Sequence, residues 1–459
     1  MKHVHLIGIG GTGLSAIARV LLESGYQVSG SDRQLSELAL SVQAAGAQVS
    51  EGHQAENIRG ADLVVRSSAV PDSNIEVQAA LAAGIPVEKR IDFLEKLLAG
   101  RRVIGVAGSH GKTTTTAMLA WTLSALGQKP GFIVGGVVAN LGTNAGAGEG
   151  PLFVIEADEY DYMFLGLQPE IAVVTNVEHD HPDIFPSPEV FQQAFRDYIG
   201  RLTPSGVLLA CGDDPGAVDL VPLAVEQGNR ALTYGIDDPQ AAYQARNLRI
   251  EAPHSGYSFD FWRADQLPVE VVLQAPGKHN VSNALAALAV VDQCQLDLLA
   301  AAQALGTFRG AQRRFEIVGQ VNRIVVVDDY AHHPTEIRAT LSAAKAQYPQ
   351  ARVWAVWQPH TYSRTKLLAA EFAASFAQAD QVLVTEVFRS REALDAQFSS
   401  AKIVRAMRHP NAHFMPELSD AVAFLLARLL PGDVLLVLSA GDANQICTQV
   451  LAGLKQVAE

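Results

Sequence analysis

The residues Gly108-Ser109-His110-Gly111-Lys112-Thr113 have the types and spacing to bind phosphate groups. They lie between the apolar segment Arg102–Ala107, predicted as a strand, and the predicted helix Thr113–Leu126. Such a glycine-rich turn presents backbone N–H groups and the positive end of a helix dipole to phosphate oxygens. The lysine then reaches the β- and γ-phosphates, and the threonine hydroxyl binds Mg²⁺. Although Val106 replaces the first glycine of the longer motif, the pattern predicts an ATP–Mg²⁺ site formed by Gly108, Ser109, His110, Gly111, Lys112, Thr113 and Thr114.

A second glycine-rich turn, Gly8–Gly13, follows the predicted strand Val4–Ile7 and matches the dinucleotide-binding pattern G-x-G-x-x-G. Asp32 lies about 20 residues further on, where such sites keep an acidic residue for a ribose. The pattern requires only a diphosphate on a helix N-terminus and a ribose nearby, so NAD and a UDP-sugar both satisfy it. The candidate residues for this ligand are Gly8, Gly10, Gly11, Gly13, Ser31, Asp32, Ser67 and Ser68.

Carboxylates and imidazoles directly follow two more predicted strands. Residues Glu156–Glu159 come after the strand Leu152–Ile155, and residues Asn176–His181 come after the strand Ile171–Thr175. Because the carboxyl ends of parallel strands face the ligand crevice of α/β proteins, we expect these clusters to complete the Mg²⁺ coordination. Paired histidines also suit zinc, but no third His or Cys lies at ligand spacing, which disfavours a zinc site.

Later segments repeat this placement of polar residues at strand ends and helix starts. Asn280 and Asn283 would share one helical face, either to bind a nucleotide or to cap the helix. Arg313 and Arg314 lie at a predicted domain boundary, where a cation could close over phosphates. The two remaining polar segments, which also lie between a strand and a helix, are Asp328–Pro334 and Gln358–Arg364.

The elements that must position these residues alternate between strands and helices, which predicts an α/β protein with parallel sheets covered by helices. Residues 242–273 alternate at period two without a helix, which predicts a small antiparallel patch. We place domain boundaries near Gly100 and Gly310. The helices predicted beyond the second boundary are Pro334–Gln347, Leu367–Phe376 and Asp420–Leu429.

Composition restricts the function classes. Of the 459 residues, 48% are hydrophobic and 18% are charged, and the net charge of −13 disfavours general binding to nucleic acid or anionic membranes. No uninterrupted apolar stretch of about 18 residues and no signal peptide is present. Three scattered cysteines favour neither disulfides nor zinc. We expect a soluble, cytoplasmic monomer or weak homo-oligomer that binds small molecules.

Eight ordered segments of the chain resemble motifs of the Mur ligases of peptidoglycan synthesis. They are GIGGTG at Gly8–Gly13, GSHGKTTTT at Gly108–Thr116, EADEYD at Glu156–Asp161, DHPD at Asp180–Asp183, APGKHNVSNALAA at Ala275–Ala287, RRFE at Arg313–Glu316, DDYAHHPTE at Asp328–Glu336 and QPHTYSR at Gln358–Arg364. The resemblance implies three domains: a Rossmann-like UDP-sugar domain at residues 1–100, a P-loop ATPase domain at 101–311, and a Rossmann-like amino-acid domain at 312–459.

The resemblance also implies the reaction. ATP phosphorylates the lactyl carboxylate of UDP-N-acetylmuramate, the amine of L-alanine attacks the acyl phosphate, and an amide, ADP and phosphate are released. By position, the implied ligands of two Mg²⁺ ions are Thr113, Glu156 and His181, and the implied catalytic residues are Lys112, Glu156, His181, Arg314, Asp329 and His333. The remaining matches are His279, Asn280 and Asn283 for the nucleotide, Arg314 and Asp329 for domain closure, and Tyr330, His333, His360 and Arg364 for the amino acid and the reacting carboxylate.

Two departures from family patterns affect these expectations. Thr361 stands where many alanine-adding relatives have arginine, which leaves Arg364 as the expected anchor for the amino acid's carboxylate. No lysine lies between Lys129 and Lys278, so the carbamylated lysine of some relatives has no counterpart.

Three alternatives stay open beside the alanine-adding reaction. A recycling ligase of the same family would attach a whole tripeptide to the same UDP-sugar, although the first glycine block favours the alanine-adding branch. An NAD-dependent dehydrogenase would use Gly8–Gly13 but would leave Lys112 without a purpose. A non-catalytic ATP-binding switch would use the phosphate loop alone.

Overall fold

The computed structural model describes residues 2–250, 256–264 and 266–458. Within these residues, the strands form three sheets that follow one another along the chain and are covered by helices. This arrangement confirms the predicted α/β class with three domains. The boundaries near Gly100 and Gly310 remain predictions.

The first sheet places the glycine turn at a reversal of strand order. Its elements are β1 (His3–Ile7), α1 (Thr12–Glu23), β2 (Gln27–Asp32), α2 (Glu37–Ala44), β3 (Gln48–Glu51), a 3-10 helix (Ala55–Ile58), β4 (Leu63–Arg66), α3 (Ile75–Ala82), β5 (Val87–Lys89) and α4 (Arg90–Leu97). The strands are parallel in the order β3-β2-β1-β4-β5. Because the chain leaves β1 to form neighbours on both sides, a crevice opens at the carboxyl end of β1, where open α/β sheets bind ligands.

The second sheet carries the phosphate loop between its strand β6 and the following helix. Its elements are β6 (Arg102–Ala107), α5 (Lys112–Ala125), β7 (Gly131–Val138), β8 (Thr143–Gly146), β9 (Leu152–Glu156), a 3-10 segment (Tyr160–Gly166), β10 (Ile171–Val174), α6 (Pro188–Ile199), β11 (Val207–Cys211), α7 (Pro215–Val218), α8 (Val221–Glu226), β12 (Arg230–Gly235), β13 (Tyr243–Ile250), β14 (Tyr257–Arg263), β15 (Val269–Leu273), α9 (Lys278–Gln293) and α10 (Leu298–Leu305). The order is β15-β14-β13-β12-β11-β10-β6-β9-β7-β8.

The predicted antiparallel region is present as β13, β14 and β15. Residues 251–255 and 265 of that prediction lie outside the described residues. The region is not a separate patch, because β13 also pairs in parallel with β12 and so extends the central sheet. The antiparallel pair β7 and β8 was not predicted, since its glycines obscure the alternation of apolar and polar residues.

The third sheet is also parallel except for its first strand. Its elements are β16 (Glu316–Val321), β17 (Ile324–Asp329), α11 (Pro334–Gln347), β18 (Val353–Gln358), α12 (Tyr362–Leu367), α13 (Ala369–Ala374), β19 (Gln381–Val384), α14 (Ala401–Ala406), β20 (Ala412–Phe414), α15 (Leu418–Leu426), β21 (Val434–Ser439) and α16 (Gln445–Ala458). The order is β16-β17-β21-β18-β19-β20, with β16 antiparallel to β17. The helix predicted over Leu367–Phe376 is present as the shorter α13, and a second short helix, α12, which was not predicted, meets it at Leu368, where the backbone departs from helical geometry.

The apolar core is divided between the domains. One continuous cluster joins the first two sheets, and α1 packs on β7 and β8. The third sheet has its own apolar layers, one on each face, formed by residues from Phe315 onward. None of the described helices is long and apolar enough to cross a membrane.

Asp433 joins several segments of the third domain. Its side chain is 5% exposed, and it accepts hydrogen bonds from Arg352 Nε at 2.9 Å, Trp354 Nε1 at 3.1 Å and the backbone N–H of Leu430 at 2.8 Å. A buried acceptor with three donors is costly to remove, because each donor loses its partner.

We therefore expect Asp433→Ala to lower the free energy of unfolding of the third domain by about 2 kcal/mol. The control is Asp237→Ala, which removes an exposed ion pair with Lys278 and should cost less than about 1 kcal/mol. Urea denaturation of the full chain, followed by tryptophan fluorescence and circular dichroism, measures both changes. Equal losses in the two variants would contradict the assignment.

Candidate active site

Two glycines shape the loop between β6 and α5. Gly108 has a φ of +135°, and a Cβ there would lie 2.0 Å from Thr175 Oγ1. Gly111 has a φ of +83° and is the N-cap of α5, where no side chain of the described residues caps the helix. The first N–H groups of α5 are therefore open to an anion, as a phosphate-binding loop requires.

Lys112 lies folded over this loop in a buried ion pair. Its Nζ donates to the carbonyl of Gly108 at 2.6 Å and lies 2.9 Å and 2.8 Å from the two carboxylate oxygens of Glu159. The Glu159 side chain is fully buried. Burial alone would lower the pKa of Lys112, but the charges of Glu159, Asp158 and Glu156 outweigh burial and raise the pKa. Lys112 is therefore a fixed cation beside the loop.

Thr113 and Glu156 have the geometry of two ligands of one Mg²⁺ ion. Thr113 Oγ1 lies 3.0 Å from Glu156 Oε1, and neighbouring oxygen ligands on an octahedral Mg²⁺ lie about 3 Å apart. The second oxygen of Glu156 accepts the backbone N–H of Gly135 at 2.7 Å, which fixes the carboxylate. A Cβ at position 135 would lie 2.6 Å from that oxygen, which accounts for the glycine in β7. The hard oxygen donors present here fit Mg²⁺.

His181 lies at the other side of the Lys112 ion pair. Its backbone is left-handed, with a φ of +54°, and its Nε2 lies 3.6 Å from Glu159 Oε1. Its Nδ1 accepts a hydrogen bond from Arg364 at 3.2 Å. The structure thus brings His181 to the carboxylate that pairs with Lys112, and brings Glu156 to Thr113.

A cavity of about 860 Å³ lies between the second and third domains. Cavities of 300–1,000 Å³ hold small ligands and cofactors, so this volume suits a nucleoside triphosphate. Its walls include, from the set predicted for ATP, the residues His110, Gly111, Thr114, His279, Asn280, Asn283, Arg314 and Asp329. Ser109 lies just behind this wall, where its hydroxyl donates to the carbonyl of Glu178 at 2.6 Å.

Asn280 and Asn283 share one face of α9, as their spacing predicts. Asn283 Nδ2 donates to Asn280 Oδ1 at 3.1 Å, and Asn280 Nδ2 donates to the carbonyl of Pro276 at 2.6 Å. In the described residues no side chain caps α9, so the capping role is not observed. Asn283 instead faces the phosphate loop: a Cβ at Gly111 would lie 2.7 Å from its Oδ1.

Polar side chains connect the second and third domains around this cavity. Arg314 donates to Thr113 Oγ1 at 3.1 Å, and Thr335 Oγ1 donates to Glu178 Oε1 at 2.9 Å. The interface between these two domains also contains an ion pair between Asp180 Oδ1 and Arg364 Nε at 2.7 Å, in which both side chains are 3% exposed. Burial alone would raise the pKa of Asp180, but the Arg364 charge holds that pKa well below its usual range.

The guanidinium N–H groups of Arg364 form hydrogen bonds at this interface between the second and third domains. Besides Asp180, its guanidinium donates to His360 Nδ1 and His181 Nδ1, each at 3.2 Å. In this conformation Arg364 therefore links the third domain to the residues that follow β10. Its expected role as an anchor for the carboxylate of the amino acid stays a prediction.

His110, in the phosphate loop, lies between two carboxylates. Its Nε2 is 3.0 Å from Glu178 Oε2, and its Nδ1 is 3.3 Å from Glu336 Oε1. Burial by itself would lower the pKa of His110, but hydrogen bonding and charge from both glutamates raise that pKa to about 9.

The start of the third domain holds three further predicted residues. Asp329 accepts the backbone N–H groups of Phe315 at 2.8 Å and Ala331 at 2.7 Å, and burial raises its pKa to about 6 despite the Arg314 charge. The guanidinium carbon of Arg314 lies 5.1 Å from the centre of the Tyr330 ring. His333 is the N-cap of α11, and burial lowers its pKa to about 4.

The N-terminal glycine turn is held by the residues predicted beside it. Asp32 Oδ2 accepts the backbone N–H of Gly10 at 2.9 Å. Ser31 is fully buried and donates to Glu76 at 2.5 Å, so its hydroxyl stabilises the domain interior. The other predicted residues lie around the turn: Gly8 with a φ of +90°, Gly11 as the N-cap of α1, Gly13 in α1, Ser67 beside Gly8, and the exposed Ser68.

A cavity of about 140 Å³ connects this turn to the second domain. It is lined by Gly13, Glu156 and Asp158, and also by Arg90, which the sequence analysis missed. Arg90 lies directly over α1, since a Cβ at Gly13 would lie 1.7 Å from its Nη1, and its Nε donates to the sulfur of Met163 at 3.4 Å. No motif signals this residue, because it reaches the turn from α4 through the fold alone.

Other residues of the site were near a predicted cluster but were not singled out. Glu159, Glu178 and Asp180 lie within the two acidic segments, and Glu336 ends the segment that begins at Asp328. Their position just after a strand could have identified these residues, but the sequence does not show which carboxylate of a cluster faces the ligand.

Comparison with known proteins agrees with this architecture. Three family models match in order: "Mur ligase family, catalytic domain" at residues 3–102, "Mur ligase middle domain" at 106–291, and "Mur ligase, glutamate ligase domain" at 313–441. A UDP-N-acetylmuramate–L-alanine ligase of Roseiflexus sp. strain RS-1 is 43% identical, with 99% of each chain covered. One of Renibacterium salmoninarum is also 43% identical, over 100% of this chain and 97% of the relative.

Solved structures give the same result. The crystal structure of a UDP-N-acetylmuramate–alanine ligase from Thermotoga maritima is 28% identical and covers 100% of both chains, with a TM-score of 0.83. A murein peptide ligase from Psychrobacter arcticus is 27% identical and covers 99% of both chains, with a TM-score of 0.73. The chain belongs to the Mur ligase family.

Proposed function

We propose that this chain joins L-alanine to the lactyl carboxylate of UDP-N-acetylmuramate, using ATP to form an acyl phosphate. The observation that carries the proposal is full-length similarity to ligases of that name, at 43% identity over at least 97% of each chain. The geometry supports it, because the larger cavity is lined by the phosphate-loop residues His110 and Gly111, and the smaller cavity, beside the glycine turn, is lined by Glu156, which contacts Thr113 of the same loop.

ATP would occupy the larger cavity with its phosphates on the loop. The open N–H groups of α5 would bind the phosphate oxygens, and Lys112, held beside the loop by Glu159, would stabilise charge on the transferring phosphoryl group. Thr113 and Glu156 would hold Mg²⁺, which neutralises phosphate charge when bound. His181 and the buried Glu159 are placed to hold a second ion, and the number of ions is part of the proposal.

The UDP-sugar would lie along the first domain. Its diphosphate would sit on the N-terminus of α1, whose N-cap Gly11 carries no side chain, with Arg90 as the cation beside it. Asp32 holds the turn through Gly10, and its other oxygen, which accepts the backbone N–H of Arg33 at 2.7 Å, would use its second lone pair for a ribose hydroxyl. The smaller cavity would then lead the lactyl carboxylate from the turn toward Glu156.

L-alanine would approach from the third domain, near Tyr330, His333 and His360. Both oxygens of Asp329 already accept backbone N–H groups, so we assign Asp329 to positioning the start of that domain. Burial lowers the pKa of His333 to about 4, and its Nδ1 accepts the backbone N–H of Thr335, so Nε2 of the neutral ring carries the hydrogen and can donate a hydrogen bond to a substrate carboxylate. Contact between the two domains excludes water, which would otherwise hydrolyse the acyl phosphate.

The tripeptide-adding reaction is the alternative within the family, and the murein peptide ligase of similar fold keeps it worth testing. Incubation of the full chain with ATP, Mg²⁺ and UDP-N-acetylmuramate should release phosphate when L-alanine is added. The tripeptide in place of L-alanine should give a kcat/KM at least about 100-fold lower, because the proposal assigns the site to a single amino acid. The reverse preference would contradict the proposal. Phosphate release without either substrate would favour an ATP switch, and an NAD-dependent absorbance change would favour a dehydrogenase.

Lys112→Ala should lower kcat by roughly 100-fold or more, because a preorganised charge on the transferring phosphoryl group is lost. The fold should persist, so circular dichroism should change little, although the unfolding midpoint should fall because Glu159 is left buried without its partner. Lys402→Ala, which changes an exposed lysine of α14, is the control and should keep normal turnover. A near-normal rate for Lys112→Ala would overturn the assignment of the phosphate loop.

Arg90→Met should raise the KM for UDP-N-acetylmuramate by roughly 10-fold or more, because one charge-assisted contact to the diphosphate is lost. The KM for ATP should stay within about 2-fold, since Arg90 lies in the other cavity. Arg196→Met, at an exposed position on α6, is the control. Steady-state kinetics with each substrate varied would refute the placement if both KM values rose equally.

A further inference from the structure

A group of metal-ligating side chains outside the Mg²⁺ site spans two domains. His110, Glu178 and His333 each offer one ligand atom, and these atoms lie within 4.8 Å of one another. His110 Nε2 is 3.0 Å from Glu178 Oε2, and His333 Nδ1 is 3.8 Å from the same oxygen. The imidazole rings of the two histidines lie with their centres 4.7 Å apart.

Neighbouring groups orient these ligands as they do in zinc proteins. Glu336 Oε1 lies 3.3 Å from His110 Nδ1, so a carboxylate stands behind the histidine when its Nε2 faces the ion. Thr335 Oγ1 donates to Glu178 Oε1 at 2.9 Å, so Glu178 Oε2, whose partner is His110 Nε2 at 3.0 Å, is the ligand oxygen once the ion replaces the proton between them. His333 is 2% exposed, and its Nδ1 accepts the backbone N–H of Thr335 at 3.4 Å as the N-cap of α11, a long hydrogen bond that the ion would replace.

We propose that His110, Glu178 and His333 form a binding site for a divalent transition-metal ion of the zinc class, separate from the Mg²⁺ ligands Thr113 and Glu156. Two imidazoles and a carboxylate prefer such ions to Mg²⁺, which takes oxygen ligands. A fourth coordination position faces the large cavity, which the side chains of His110 and Glu178 line, and it can take water or a phosphate oxygen.

The ligand spacing requires little movement. Ligands about 2.0–2.1 Å from a tetrahedral ion lie roughly 3.3 Å apart, so the observed separations need side-chain shifts of about 1 Å or less. The carboxylates of Glu178 and Glu336 already favour positive charge at His110, and the ion would replace a proton there. Arg314 is a cation close to this group, with its Nη1 3.9 Å from Glu336 Oε1, and its positive charge opposes binding of the ion.

The ion would hold the third domain against the phosphate loop. His110 and Glu178 belong to the second domain and His333 to the third, and the apolar cores of these domains are separate. A bond from one ion to both domains therefore stabilises their contact and slows the opening that releases products. Zinc would act as an inhibitor that binds without ATP, so the site does not depend on the proposed ligase activity.

The test is a titration of the full chain with Co²⁺ and with Zn²⁺ in excess Mg²⁺, without nucleotide. Tetrahedral Co²⁺ gives visible absorption, and calorimetry gives the Kd for Zn²⁺. We expect one ion per chain, with a Kd at least about 10-fold weaker in Glu178→Gln and in His333→Gln, since each variant removes one of three ligands. The matched controls are His413→Gln, in β20, and Glu156→Gln, at the Mg²⁺ site, and both should keep the wild-type Kd.

The thermal midpoint gives a second readout. Zn²⁺ should raise the midpoint of the wild-type chain and of His413→Gln, but not those of Glu178→Gln and His333→Gln. If all variants bind the ion equally, or if binding is lost in Glu156→Gln instead, the proposal is overturned. Absence of binding in the wild-type chain would also overturn it.

Discussion

The buried ion pair between Lys112 and Glu159 is the constraint on which the rest of the site depends. A lysine cation and a fully buried carboxylate are stable together, whereas either one alone would be costly in this environment. The pair fixes Lys112 over the loop that begins α5, and it brings the segments after β9 and β10 to the same point. Because Glu159 and the carbonyl of Gly108 hold it there, the cation lies beside the loop before any ligand binds.

The apolar core of the third domain is separate from the core that the first two domains share. The first two domains share one core, so the glycine turn and the phosphate loop keep a fixed relation. The third domain meets them through polar side chains, among them Arg314 with Thr113 and Arg364 with Asp180. Polar contacts of this kind exchange with water at modest cost, which allows opening for substrates and closure around a reactive intermediate.

Sequence predicted the parts that local physics determines. The alternation of strands and helices gave the α/β class, and the phosphate loop at Gly108–Thr113 was predicted because its glycines and its position between β6 and α5 are local features. Contacts that depend on the tertiary fold could not be predicted from the sequence. Thr335 meets Glu178 from 157 positions away, and Arg90 reaches Gly13 from α4. The histidine pair that the sequence showed, His179 and His181, is not part of the group His110, Glu178 and His333, whose members come from three separate segments of the chain.

The central claim is that the site transfers a phosphoryl group from ATP to the lactyl carboxylate. The most direct measurement uses UDP-N-acetylmuramate labelled with ¹⁸O in that carboxylate, together with ATP and L-alanine. The account predicts one ¹⁸O atom in each phosphate released, because the attacking carboxylate oxygen leaves with the phosphoryl group when the amine displaces it. Phosphate without ¹⁸O, formed while the amide product accumulates, would contradict the account.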